Sequence, residues 1–176
     1  MRLTLPCAAV RTATRLLVAP SLSPRLPLPL ARRLVDLQGM LLPVPRGTRT
    51  ERTALGLRVG TPGTDATSET GSARRVLFLH GGGYLVGSPR SHRSVAAWLA
   101  EAAGAPVELL DYRLAPEHPY PAALDDAEHA YRDLLAGGQS PQRLAVAWCL
   151  GGALRRHGPA TPGCCPDSTT GSSSDG

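Results

Sequence analysis

Two short segments of this chain carry residues that can do chemistry. The first is His80-Gly81-Gly82-Gly83-Tyr84. Three consecutive glycines let the backbone take positive φ and put no Cβ in the way, so neighbouring N–H groups can turn toward one point. Such a nest holds an anion, or the charge that develops on a carbonyl oxygen during acyl transfer. A plain tight turn uses the same residues, and position in the fold separates the two readings. The second segment is Ala147-Trp148-Cys149-Leu150-Gly151-Gly152. Here a cysteine, an intrinsically strong nucleophile as its thiolate, lies among small residues.

The elements that must position these segments are legible as hydrophobic patterns. Residues 75–79 (RVLFL) form a short, β-prone, nearly continuous apolar run, which suits a strand covered on both faces. The glycine loop follows it directly. Residues 91–103 predict a helix with Val95, Trp98, Leu99 and Ala102 at helical spacing, stopped by Gly104. Residues 106–110 (PVELL) predict a second strand. Residues 121–135 predict a helix with Pro121 in its first turn, an inner stripe of Ala123, Ala127, Ala130 and Leu134, and Gly137-Gly138 at its end. Residues 143–147 (RLAVA) predict a third strand. Upstream, 54–59 alternates as a half-buried strand would, and 61–72 is a Gly/Thr/Ser/Pro loop. Strand, helix, strand, helix, strand is the pattern of an α/β fold with a mostly parallel sheet and flanking helices. In such sheets ligands bind at the C-terminal ends of strands, where the glycine loop falls.

Composition narrows the field. The 176 residues allow one domain, and 42% apolar residues argue against wholesale disorder. No apolar stretch is long enough to span a membrane. All 19 basic residues are Arg, and the chain has no Lys, Ile or Asn. Those three have AT-rich codons, so a GC-rich genome explains the net charge of +5 better than nucleic-acid binding does. The arginines also lack the interleaved aromatics of a single-strand platform. Cys7, Cys149, Cys164 and Cys165 form no disulfide framework, and none has metal-ligand spacing with a histidine. A reducing cytoplasm is the expected compartment. Residues 1–35 hold six Arg and no acid, which a transit peptide shares; a helical arm broken by Pro20, Pro24, Pro27 and Pro29 accounts for them better, since composition alone carries the targeting case, with a second short helix over 32–42.

His80-Gly81-Gly82-Gly83-Tyr84, then Gly87-Ser88-Pro89-Arg90, then Asp111-Tyr112-Arg113-Leu114-Ala115-Pro116-Glu117-His118-Pro119-Tyr120-Pro121-Ala122, resemble the hormone-sensitive-lipase-like carboxylesterases of the α/β-hydrolase fold. The resemblance covers residues 46–147, and more weakly the arm, which resembles part of that family's cap. It implies the N-terminal half of an α/β-hydrolase: a cap-like arm over 1–44, a partial core over 45–154 and an aberrant or disordered tail over 155–176. It also implies an oxyanion hole at Gly81, Gly82 and Gly83, a small-molecule ester as substrate, and no cofactor or metal. His118 takes no catalytic role on this reading, because the family's base comes after its nucleophile.

The sequence departs from the family at the nucleophile. A Gly-x-Ser-x-Gly elbow is expected after the third strand, and the serine slot falls on Leu150. One account makes Cys149 the nucleophile, in an elbow similar to that of dienelactone hydrolases, with the strand one residue shorter and the thiol at a helix N-terminus. The other is a slipped reading frame. Codons for Trp148-Cys149-Leu150, read one nucleotide later, permit Gly-Ala-Ser. The residues after Leu154 favour the slip, since Gly158-Pro159 and the Ser/Thr/Gly-rich end supply no buried helix, acid or base, and His157 is a poor substitute. The chain is then expected to be inactive, marginally stable over 45–150 and disordered after 158, with its last strand an open edge. A non-catalytic ligand-binding relative, as among plant hormone receptors, is the third reading.

Overall fold

The computed structural model describes residues 25–64 and 74–149, with Thr12 and Ser23 besides. The run Arg75–Leu79 is strand β3, and its last four residues are buried. Around it lie helix α1 (Leu28–Leu41), strands β1 (Arg49–Thr53) and β2 (Gly56–Gly60), helix α2 (Arg93–Ala103), strand β4 (Val107–Leu110), helix α3 (Ala122–Ala136) and, after a 3-10 turn (Pro141–Arg143), strand β5 (Leu144–Trp148). The sheet order is β1-β2-β4-β3-β5. β3 is parallel to β4 and to β5, whereas the β1–β2 hairpin joins β4 antiparallel. The sheet is therefore mixed, with its parallel part where the two chemistry-bearing segments emerge.

Alternation along β3 feeds two cores. Val76 and Phe78 pack with Val107, Leu109 and the alanines of α2. Leu77 and Leu79 pack on the other face with Leu110, Tyr112, Ala130 and Leu134 of α3. With a single Phe in the chain, these cores rest on aliphatic side chains and close backbone approach. Helix α2 shows the consequence. Its buried residues are Ser94, Ala96, Ala97 and Ala100, while Val95 and Trp98 are about half exposed, opposite to a face built on the larger side chains. Small residues let the helix lie close on the sheet, and Trp98 instead reaches back to donate to the Pro43 carbonyl.

Two other expectations shift. Helix α1 begins at Leu28, so Pro29 lies inside its first turn rather than breaking it. That turn has no intrahelical use for the proline's missing N–H. Residues 49–53 (RTERT) form a strand that apolar periodicity misses, because an outer strand exposed on both faces needs no hydrophobic stripe. Apart from Thr12 and Ser23, residues 1–24 lie outside the described residues, as do 65–73 and 150–176, and with them the expectations for the start of the arm, the polar loop, Leu150 and the tail. Within the described residues, no helix is long and apolar enough to cross a membrane.

Candidate functional site

β3 ends at Leu79 and the chain enters the glycine loop at a fully buried histidine. The His80 ring stacks on Tyr112 at 4.2 Å between centroids and 14° between planes. Tyr112 donates its hydroxyl to the His80 carbonyl at 2.6 Å, and His80 Nδ1 donates to the Gly81 carbonyl at 3.1 Å. His80 Nε2 has no hydrogen-bond partner among the described residues. The Gly81 N–H donates to His92 Nε2 at 3.2 Å, which leaves the His92 proton on Nδ1, facing Ser91 Oγ at 2.9 Å. Both imidazoles thus hold the loop.

Burial disfavours the imidazolium at both histidines and brings the His80 pKa down to about 4. In the unfolded chain a histidine titrates near 6.5. The unfolded state therefore takes up the proton first as pH falls. His80 leaves stability intact above about pH 6.5 and removes it progressively between there and pH 4, by up to about 3 kcal/mol. Urea unfolding at pH 7 and pH 5, with the His80 ring followed by NMR, is expected to show a less stable protein at pH 5 and a ring still neutral there.

The loop's shape depends on glycine at defined points. Gly82 has φ 131°, and a Cβ there would lie 1.9 Å from the Val86 carbonyl oxygen. Gly83 and Tyr84 follow, each at φ 62°. A Cβ on Gly81 would lie 2.4 Å from the Cys149 carbonyl oxygen, so the loop lies directly against the end of β5. The Gly82 carbonyl accepts from the Leu85 and Val86 N–H groups, at 3.2 and 3.1 Å. The N–H groups of Gly82 and Gly83 take no hydrogen-bond partner among the described residues. Consecutive free N–H groups in left-handed backbone can hold an anion.

Cys149 lies at the end of β5, half-buried, with its N–H donating to the Leu79 carbonyl at 3.0 Å. Its Sγ is 3.5 Å from where a Gly81 Cβ would be. The structure places Cys149 beside the glycine loop. Leu150 and His157 lie outside the described residues. His118 lines the same cavity as Gly83, a space of about 570 Å³ walled by Tyr84, Leu85, Tyr120, Leu124 and Trp148. The segment from Asp111 to Ala122 is tied to its neighbours at both ends. Arg113 grips Asp126 of α3 through Nε and Nη2 at 2.8–3.0 Å, and the Ala115 N–H donates to the Tyr84 carbonyl at 2.8 Å. Sequence reasoning missed Arg32 of α1, which reaches Leu85, Ala115 and Glu117. Apolar periodicity cannot find a polar side chain that works through backbone carbonyls.

Residues 76–154 match the family model of the alpha/beta hydrolase fold. The chain is 51% identical to an acetyl-hydrolase of Streptomyces hygroscopicus over 80 residues, which cover 46% of this chain and 27% of that protein. It is 45% identical to an ethyl acetate hydrolase of Pseudomonas putida over 105 residues, covering 57% and 32%. A solved esterase of the bacterial hormone-sensitive lipase family superposes with a TM-score of 0.69 at 34% identity, over 82% of this chain and 48% of that one. With the sheet order, the loop and these matches in place, the chain has the α/β-hydrolase fold. Within that fold its matches are to hydrolases and esterases, among them this member of the bacterial hormone-sensitive lipase family. It spans about a third of the length of the curated relatives it matches and about half that of the solved structures.

Proposed function

We propose that this chain carries the anion-holding part of a carboxylic-ester hydrolase and itself turns esters over at or near background. The carrying observation is the pair of N–H groups on Gly82 and Gly83, which take no partner among the described residues and lie beside the end of β5. On this reading the oxyanion donors are Gly82 and Gly83, since the Gly81 N–H is already given to His92, and Gly81 is the residue small enough to let β5 approach. In the full reaction of such enzymes a nucleophile attacks the acyl carbon, and N–H donors hold the oxygen that becomes negative. The apolar wall of Tyr84, Leu85, Leu124 and Trp148 suits the organic part of a small ester. No cofactor or metal is assigned a role, the partner is a small molecule, and the compartment proposed is the cytoplasm. The domain division proposed is an arm over 1–44, a partial core over 45–154 and a tail over 155–176.

Attack requires a base within hydrogen-bond reach of the nucleophile and a group to orient it. His80 and His92 are already engaged by the loop, and the Cys149 thiol makes no hydrogen bond to a base among the described residues. Initial rates on p-nitrophenyl butyrate are expected to be indistinguishable between the full chain and buffer. The second reading, Cys149 as nucleophile, draws on its place against Gly81. Turnover well above buffer, abolished by Cys149→Ala, establishes that reading and overturns ours.

A further inference from the structure

Three residues of α1 lie on one helical stripe, Arg32, Asp36 and Gly39, at spacing i, i+4, i+7. Each meets the segment that follows the glycine loop. Arg32 Nε donates to the Leu85 carbonyl at 2.8 Å. Asp36 Oδ1 accepts from the Ser88 hydroxyl. Gly39 is buried against Ser91, whose carbonyl oxygen is 2.2 Å from where a Cβ would sit, so no larger residue lets the helix this close. Arg32 does more. Its Nη2 donates to the Ala115 carbonyl at 2.8 Å, and Nη1 and Nη2 form a two-pronged pair with the Glu117 carboxylate at 2.9 and 2.8 Å. Ala115 in turn donates to Tyr84. One guanidinium therefore closes a ring through Tyr84, Leu85, Ala115 and Glu117, next to Gly82 and Gly83.

From this we infer that Arg32 is a positioning residue, fixing the Gly82 and Gly83 N–H groups in their anion-holding arrangement, and that α1 scaffolds the loop as well as adjoining it. The inference rests on the proposed role of those two N–H groups. The planar fork matters, because Arg32 makes four hydrogen bonds from three nitrogens, whereas an ammonium has three N–H donors on a single nitrogen and cannot span the same acceptors. The Glu117 pair is exposed on one side and contributes orientation more than stability. Glu117 stays ionised to about pH 2, held there mainly by its hydrogen bonds from Arg32, so the ring keeps its charge through the neutral range.

The test is an amide ¹H–¹⁵N NMR comparison of the full chain with Arg32→Ala, Arg32→Lys and Glu117→Gln, each titrated with butyrate. In the free proteins, both Arg32 variants are expected to displace the Gly82 and Gly83 amide resonances, while Glu117→Gln, which keeps both carbonyl bonds, displaces them less. Butyrate affinity is expected to fall roughly tenfold in Arg32→Ala and nearly as far in Arg32→Lys. A role confined to stability lowers the melting temperature and leaves those amide positions and the affinity of the folded protein unchanged; that result overturns the inference. Should Arg32→Ala fail to fold, Arg32→Lys carries the comparison. Absence of butyrate binding in the wild type refutes the proposed anion site instead, and the free-state amide positions still decide the part played by Arg32.

Discussion

Replacing Gly82 by alanine is expected to abolish anion binding at the loop and to destabilise the chain by roughly 2–5 kcal/mol. The added Cβ would lie 1.9 Å from the Val86 oxygen, and φ 131° is a backbone state that side chains rarely adopt. Relief requires opening the Gly82 to Val86 turn, which moves the Gly82 N–H and drags Leu85 off Arg32. Gly83→Ala supplies the contrast. Its φ of 62° is mildly unfavourable for alanine, but nothing lies within 4 Å of the new methyl. The cost there is expected to be about 1 kcal/mol. Urea denaturation of the two variants side by side checks both figures, and equal destabilisation would show that the backbone at Gly82 is more yielding than its contacts imply.

The second large effect is in the sheet. Arg58 of β2 stands directly opposite Glu51 of β1 and Glu108 of β4 in the strand register. Glu108 is fully buried, accepts from Arg58 Nε at 2.9 Å and takes a further hydrogen bond from Thr53. Arg75, whose guanidinium pKa is drawn down by its own burial and by Arg58, adds a second cation near Glu108. Removing Arg58 strands a buried carboxylate, a change that typically costs 3–5 kcal/mol. Arg58→Ala is therefore expected to cost about 3 kcal/mol, the low end because Arg75 and Thr53 remain. Arg58→Leu combined with Glu108→Leu is expected to recover most of that loss, since a packed apolar pair needs no partner. Denaturation midpoints of the single and double variants measure both effects. An Arg58→Ala variant as stable as wild type would mean the ion pair contributes nothing net.

How far the sequence reveals this arrangement varies with the kind of force involved. β3 is legible because a strand buried on both faces must be apolar throughout, and Val76 to Leu79 are. The stop at Gly104 is legible because its left-handed φ of 57° suits glycine. The inner stripe of α3 is legible from Ala130 and Leu134. Strand β1 is not, because its hydrogen bonds to β2 depend on no apolar pattern. The face of α2 misleads, since size favours Trp98 whereas close packing favours alanine. At the site, the glycine loop and Cys149 can be placed from the two strands that precede them. The proposed narrowing from three glycines to two depends on His92 lying across the loop, a contact between residues 11 positions apart that no local pattern encodes. The grip of Arg32 on Ala115 spans 83 positions and acts through carbonyl oxygens, so side-chain identity at its target carries no signal.

The central claim is that the Gly82 and Gly83 N–H groups hold a negative oxygen. It is tested most directly by titrating the full chain with butyrate and, separately, with uncharged 1-butanol while following those two amides by NMR. The account predicts a saturable downfield movement of both resonances with the carboxylate and none with the alcohol. Unmoved resonances, or the same movement with both compounds, would contradict it.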